Sequence, residues 1–301
     1  MATGKHIALV LHGARAGRED VRHLVDWVRE KGHYVEPLVT FEAGEATEFA
    51  ADAARRGVDV VAAAGGDGTI NEVVNGLDGY DTPLGIIPLG TANDFARQVG
   101  IPADADHAMD VILQRKPRRF DTATLNGRRF LNVSTGGIGA EATAETPASA
   151  KEALGSMAYA ITGLRKFADF RPNHARFSGE SFCYEGEYLM FAVGLTRSTG
   201  GGTMVTPRAS ADDGYFDLCI VEGMSRSDFA RIVFKVKRGE HVGHPGVHYA
   251  QLKAVTIDGA ESIAVNVDGE TSNATRLVYR ARSRDLYVHV AYMPGDDAED
   301  A

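Results

Sequence analysis

Two stretches of the chain could bind phosphate through their backbone. The apolar run of "VVAAAGGDGTINEVVNGL", Val60 to Leu77, stops at Gly65-Gly66-Asp67-Gly68, and a helical pattern follows at once. The stretch "LGIIPLGTANDFARQVG", Leu84 to Gly100, repeats the design with Gly90-Thr91-Ala92-Asn93. Glycine lets a main chain approach a ligand closely and permits positive φ. A helix that begins there offers N–H groups with no partner inside the helix and a partial positive charge. Thr69 and Glu72 match the S/T-x-x-E capping box. A single glycine turn is equally well a steric requirement; two on successive strands favour phosphate binding. Neither stretch is G-x-G-x-x-G or carries the G-K-S/T of a P-loop. Asp67 is either an ordinary helix N-terminal residue or the partner of a Mg²⁺-bound nucleotide, since a carboxylate beside phosphates needs a cation between.

Other candidates lie further along. "NVDGET" contains Glu270, either a solvated turn residue or a general base facing a cleft. "STGGGTMVTPRASADDGYFD" is a third glycine-rich loop, whose Asp212 and Asp213 could join backbone carbonyls around a hard cation or merely form a turn. His241, His244 and His248 have a spacing that zinc can use, but no matching cysteine, and a metal role is not expected of them. Phe229 and Phe234 read as helix core.

The first 120 residues alternate strand and helix. "HIALVLHG", "YVEPLVT", "VDVVAAAG" and "LGIIPLG" read as strands; "EDVRHLVDWVREKGH", "EATEFAADAARRG", the Ile70–Leu77 stripe and "NDFARQVG" read as helices. This is the βαβ pattern of a parallel sheet covered on both faces. In such sheets ligands bind beyond the carboxyl ends of the strands, where Thr40, Gly65–Thr69 and Gly90–Asn93 fall.

After residue 120 strands dominate, with a hairpin at Asn126-Gly127, a turn at Glu185-Gly186, a helix over 151–167 and a shorter one in "RSDFARIVFKVKRGE". The expected division is an α/β domain over 1–120, a β-sandwich over 121–293 and an acidic tail over 294–301, the two domains enclosing a cleft.

A formal charge of −9 argues against a nucleic-acid binder. Arg115, Lys116, Arg118 and Arg119 form a basic run that reads first as solvated surface. The two cysteines, Cys183 and Cys219, suggest no disulfide framework, fit a reducing cytosol and read as buried thiols. No apolar run reaches the ~20 residues of a membrane helix, so a cytoplasmic protein is expected.

With these loops laid out, the chain resembles the diacylglycerol kinase-like lipid kinases. "GGDGTINEV" and "PLGTANDFA" are followed in order by "STGGIGAEATAETP", "ALGSMAYAITGL", "GGGTMVTPRASADDGYFDL" and "NVDGE", together spanning about residues 5–290. The resemblance implies a three-layer α/β nucleotide domain of the NAD kinase/diacylglycerol kinase type followed by a β-sandwich. It implies ATP and Mg²⁺, with Ca²⁺ admissible at a second site, and transfer of the γ-phosphoryl group to a lipid hydroxyl at the inner membrane face, in phospholipid metabolism. It assigns ATP contacts to Thr40, Gly65, Gly66, Asp67, Gly68, Thr69, Ile70, Asn71, Glu72 and Thr91, and a second, structural cation to Asp213 with the carbonyls of Ser210 and Tyr215. Catalysis falls to Asp67 and to Glu270 as proton acceptor. The chain departs from the family with His12 at the end of strand one, where asparagine is common. Two other readings are a soluble-substrate kinase of the NAD kinase type, which shares a "GGDGT" loop, and a non-catalytic nucleotide- or lipid-binding module.

Overall fold

The computed structural model describes residues 4–17, 19–138, 140 and 172–291. The expected helix over 151–167, the motif "ALGSMAYAITGL", most of "STGGIGAEATAETP" and the acidic tail lie outside them. The chain forms two compact units, Met1–Phe120 with Asp285–Ala301, and Asp121–Arg284.

The first unit is built on four parallel strands, β1 (His6–His12), β2 (Tyr34–Thr40), β3 (Val60–Gly65) and β4 (Leu84–Pro88), in the order β4-β3-β1-β2. β3 and β4 are buried at every position, which explains why they read as unbroken apolar runs. The helices are α1 (Glu19–Glu30), α2 (Glu45–Arg55), α3 (Asp67–Gly76), α4 (Asp94–Gln98) and α5 (Ala105–Gln114). Right-handed crossovers place α2 and α3 on one face of the sheet and α1 on the other. α2 and α3 pack closely: a Cβ on Gly76 would lie 2.3 Å from the Thr47 carbonyl oxygen. α1 turns Val21, Leu24, Val25 and Val28 into the core. Its Trp27, the single tryptophan of the chain, carries the Lys31 ammonium 3.7 Å from its ring centroid. The sequence reading assigned no element to α5, although Asp104 caps it by accepting the His107 N–H.

The second unit is antiparallel. Its strands are β5 (Pro117–Leu125), β6 (Arg128–Phe130), β7 (Val133–Gly137), β8 (Asn173–Gly179), β9 (Cys183–Gly194), β10 (Phe216–Glu222), β11 (Val247–Leu252), β12 (Ala254–Val267) and β13 (Glu270–His289); the first residues of β5 and the last of β13 belong to the first unit. The long strands β9 and β12 each pair with β8 at one end and β7 at the other, so the sheet folds over itself around an aromatic core of Phe130, Phe177, Tyr188, Phe191, Phe216 and Tyr279. Alternation along β9 sends Phe191 and Val193 into this core and Ala192 into a second one, beneath helix α6 (Arg226–Val236); a register shift against β10 between Tyr188 and Met190 breaks the alternation and puts Leu189 in the second core as well.

Several local expectations need correction. The hairpin between β8 and β9 turns at Glu180-Ser181, closed by the Gly179 N–H on the Phe182 carbonyl, while Glu185 and Gly186 stand inside β9 opposite Arg176 and Ala175. The glycine there is a mid-strand residue and the true turn lacks an Asn-Gly signal. Phe229 is buried under α6, but Phe234 is 68% exposed on its outer side. Cys219 is buried and Cys183 is exposed. Asn126 and Gly127 do form the β5–β6 hairpin, with φ of 49° and 93°, the positive pair of a type I′ turn.

Candidate active site

The two glycine turns meet. β3 and β4 pair through Gly65 opposite Pro88, and the Leu89 N–H bonds the Gly65 carbonyl, so both chains leave the sheet side by side. Each glycine then fits where a side chain would not. A Cβ on Gly65 would sit 2.3 Å from Thr69 Oγ1, and one on Gly90 would sit 2.5 Å from the Gly66 Cα. Asn93, at φ 47°, accepts the Gly90 N–H and donates to its carbonyl, which closes the second turn. Asp67 bridges the pair: its Oδ1 accepts the Phe95 N–H at the start of α4, 3.4 Å away.

α3 starts at Asp67 with Gly66 as its cap and no side-chain bond to that cap. Its first internal bond runs from the Ile70 N–H to the Gly66 carbonyl, so the Gly68 and Thr69 amides precede the first carbonyl that the helix can offer them. Gly68 is exposed, whereas Thr69 and Asn71 are buried and Ile70 belongs to the core. The expected Thr69–Glu72 capping box does not form. Thr69 lies inside the helix rather than before it, and Glu72 Oε2 instead accepts the Gly44 and Ala46 N–H groups at 3.1 and 3.2 Å. Glu72 thus caps α2, whose own cap, Gly44, has no side chain.

Thr40 ends β2 opposite His12 at the end of β1. It is buried, and its hydroxyl donates to the Leu11 carbonyl. His12 is exposed and caps a short 3-10 turn, Gly13–Arg15, by accepting the Ala14 N–H. Gly13 is another close approach, since a Cβ would lie 2.2 Å from the Thr40 carbonyl oxygen. Thr91 is exposed beside Gly90. The carboxyl ends of β1 to β4 therefore present backbone amides, exposed glycine and small hydroxyl residues, with one carboxylate tying the central turns together. That donor set suits a chain of phosphates.

In the second unit, Asp213 receives the Tyr215 N–H on Oδ1 and the Gln251 amide on Oδ2. Burial, then repulsion from Asp121 and Asp212, raises its carboxyl above the usual range. Asp121 is fully buried and accepts the Gly214 and Arg284 N–H groups. The Ser210 hydroxyl holds Asp212. Crowded carboxylates of this kind fit a cation that relieves their repulsion. Among the described residues no three His, Cys, Asp or Glu side chains converge on a metal position, so any ion here would draw on backbone carbonyls as well as Asp213. The three spaced histidines have separate partners: His241 contacts the Val205 carbonyl, His244 accepts the Gly246 N–H and His248 pairs with Glu222.

Glu270 opens β13 directly after the turn Asp268-Gly269, where φ is 46° and 97°. It forms an ion pair with Arg128 at the start of β6, a partner that the sequence reading did not identify. The Arg128 hydrogen bond, against a smaller effect of burial, holds the Glu270 carboxyl below the usual carboxylate range.

Comparisons with known proteins match both halves of the chain. The family model for the diacylglycerol kinase catalytic domain matches residues 6–125, and that for the YegS C-terminal NAD kinase beta sandwich-like domain matches residues 132–290. The chain is 35% identical over 300 residues to a "Diacylglycerol kinase" of Bacillus subtilis (strain 168), covering 97% of this chain and 98% of the other. It is 36% identical over 286 residues to a "Probable lipid kinase YegS-like" of Pseudomonas aeruginosa (strain UCBPP-PA14), covering 94% of each. A crystal structure from Bacillus anthracis str. Sterne that bears the name diacylglycerol kinase superposes with a TM-score of 0.82 at 26% identity, covering 97% of this chain and 98% of its own. With both halves matched and relatives aligned end to end, the chain belongs to the diacylglycerol kinase-like family of lipid kinases.

Proposed function

We propose that the protein transfers the γ-phosphoryl group of ATP to the hydroxyl of a lipid of the diacylglycerol or phosphatidylglycerol type. The observation that carries this is the contact of the two glycine turns at Gly66 and Gly90, which sets two helix starts side by side at the strand ends. Phosphoryl transfer is mainly positioning and charge stabilisation, and backbone amides can hold a triphosphate without a P-loop lysine. Mg²⁺, when bound, neutralises charge on the phosphates. Gly66, Gly68 and Thr69 would cradle them, Thr91 and Thr40 would flank them, and Asp67, which ties the turns together, is the carboxylate that would hold the cation. Asp213, with the carbonyls of Ser210 and Tyr215, would hold a second cation, which would supply charge to offset the crowded carboxylates. Glu270 takes the proton from the lipid hydroxyl as it attacks.

Among the described residues no helix is long and apolar enough to cross a membrane. The test is transfer of label from ATP carrying a radioactive γ-phosphate to a panel of hydroxyl-bearing lipids in mixed micelles. A labelled lipid is expected; a panel left unlabelled beside an active control kinase sinks the proposal. Labelling of NAD without detergent would establish the soluble-substrate reading instead.

A further inference from the structure

Glu270 does not stand alone. It shares a frame with Arg128, and that frame is anchored at both ends. At one end the β5–β6 hairpin is clasped to β13: Asn126 exchanges bonds with the Val278 backbone in both directions and donates its side-chain amide to the Arg276 carbonyl. At the other end Asp268, two residues before Glu270, accepts the Leu131 N–H just after β6. The turn itself is braced by Asn266, which accepts the Gly269 N–H and donates to the Thr271 hydroxyl. Arg128 starts β6 between these two clasps, opposite Leu125, and its guanidinium reaches the Glu270 carboxylate.

The pair adds little to folding. Its side chains are 47% and 52% exposed, and ion pairs at such sites contribute roughly 0–1 kcal/mol. Two clasps and a braced turn that aim a weakly stabilising pair point to a role other than stability. Arg128 lies against the Glu270 carboxylate and holds it below the usual carboxylate range.

We propose that Arg128 is a positioning residue for the general base: it fixes the Glu270 carboxylate at the head of β13, aimed for the hydroxyl. The inference rests on Glu270 acting as the base. Without Arg128 the carboxylate turns freely about its side-chain bonds, and a base out of line loses much of its advantage.

The experiment compares wild type, Arg128→Gln, Arg128→Lys and Glu270→Gln, with Mg²⁺-ATP and micelles containing both diacylglycerol and phosphatidylglycerol. In Arg128→Gln, kcat should fall on the order of 10-fold to 10²-fold, with ATP affinity unchanged. Its acid limb should move to higher pH, because a Glu270 freed from the guanidinium protonates at a less acidic pH. Arg128→Lys keeps a cation and should leave the limb near its wild-type position. A change confined to the structure would alter the melting temperature and not the limb. If Arg128→Gln does not fold, Arg128→Met removes the charge at similar length and is read the same way. A limb that stays where it is in the uncharged variant overturns the inference, whatever the rate. Glu270→Gln separates the two levels: if it turns over like wild type, the base assignment itself fails, whereas an inactive Glu270→Gln beside an unmoved limb removes only Arg128.

Discussion

Asp67-Gly68 and Asp268-Gly269 are the same dipeptide put to different uses. The first opens a helix; its neighbouring glycines matter because other atoms already occupy the space of a Cβ. The second closes a hairpin with positive φ at both residues, and a Cβ on Gly269 would meet nothing within 4 Å. The first turn works through its backbone, the second through the side chain that follows it. A third copy, Asp213-Gly214, works through its own carboxylate. An Asp-Gly in a sequence fixes a bend; what the bend does depends on what lies across from it.

Substitutions can break this contrast. The largest effect is expected at the side-chain turn. Glu270→Gln should lower kcat by roughly 10²–10⁴-fold, the usual contribution of a general base, while nucleotide titration shows ATP binding intact. Loss of ATP binding would mean that the residue shapes the fold rather than the chemistry.

A matched pair of glycine substitutions comes next. Gly90→Ala forces a methyl against the Gly66 backbone and should cost about 1–3 kcal/mol in denaturant unfolding, with ATP affinity falling as well. Gly269→Ala meets open space but must hold positive φ, which costs roughly 1–2 kcal/mol, and ATP affinity should stay put. Equal effects of the two on ATP affinity would erase the distinction between the turns.

The smallest effect is expected at Asp213. Asp213→Ala should shift the Mg²⁺ activation curve to higher concentration by several-fold without abolishing turnover. Because the Asp213 carboxyl is raised above the ordinary range, protons compete with the cation for it as pH falls. Mg²⁺ activation should therefore weaken on acidification in the native protein and lose that dependence in the variant.

Much of this was legible in the sequence because it is local. Alternating strands and helices, the Asn126-Gly127 hairpin and the glycine turns each announce themselves within a few residues. What was missed depends on partners far along the chain. Glu72 resembled a cap for its own helix, but the acceptor-hungry amides lay at Gly44 and Ala46. The Arg128–Glu270 pair joins residues 142 apart, and no pattern within a window could expose it. Phe234 is apolar, but it stands five residues from Phe229, about 140° round the helix, off the buried stripe of Phe229, Ile232 and Val236, and it faces outward. The contact of Gly66 with Gly90 required the register of β3 on β4, which only the folded sheet supplies.

Trp27 gives the molecule a built-in reporter. As the single tryptophan it lies on α1, in the unit that carries the glycine turns, while the aromatic core of the other unit contains phenylalanine and tyrosine only. Tryptophan emission thus follows the melting of one unit and near-ultraviolet tyrosine dichroism weights the other. The ammonium of Lys31 over the indole makes that emission sensitive to the local field as well. Divergence of the two signals in a denaturant titration would reveal, without any label, whether the units let go together or in turn.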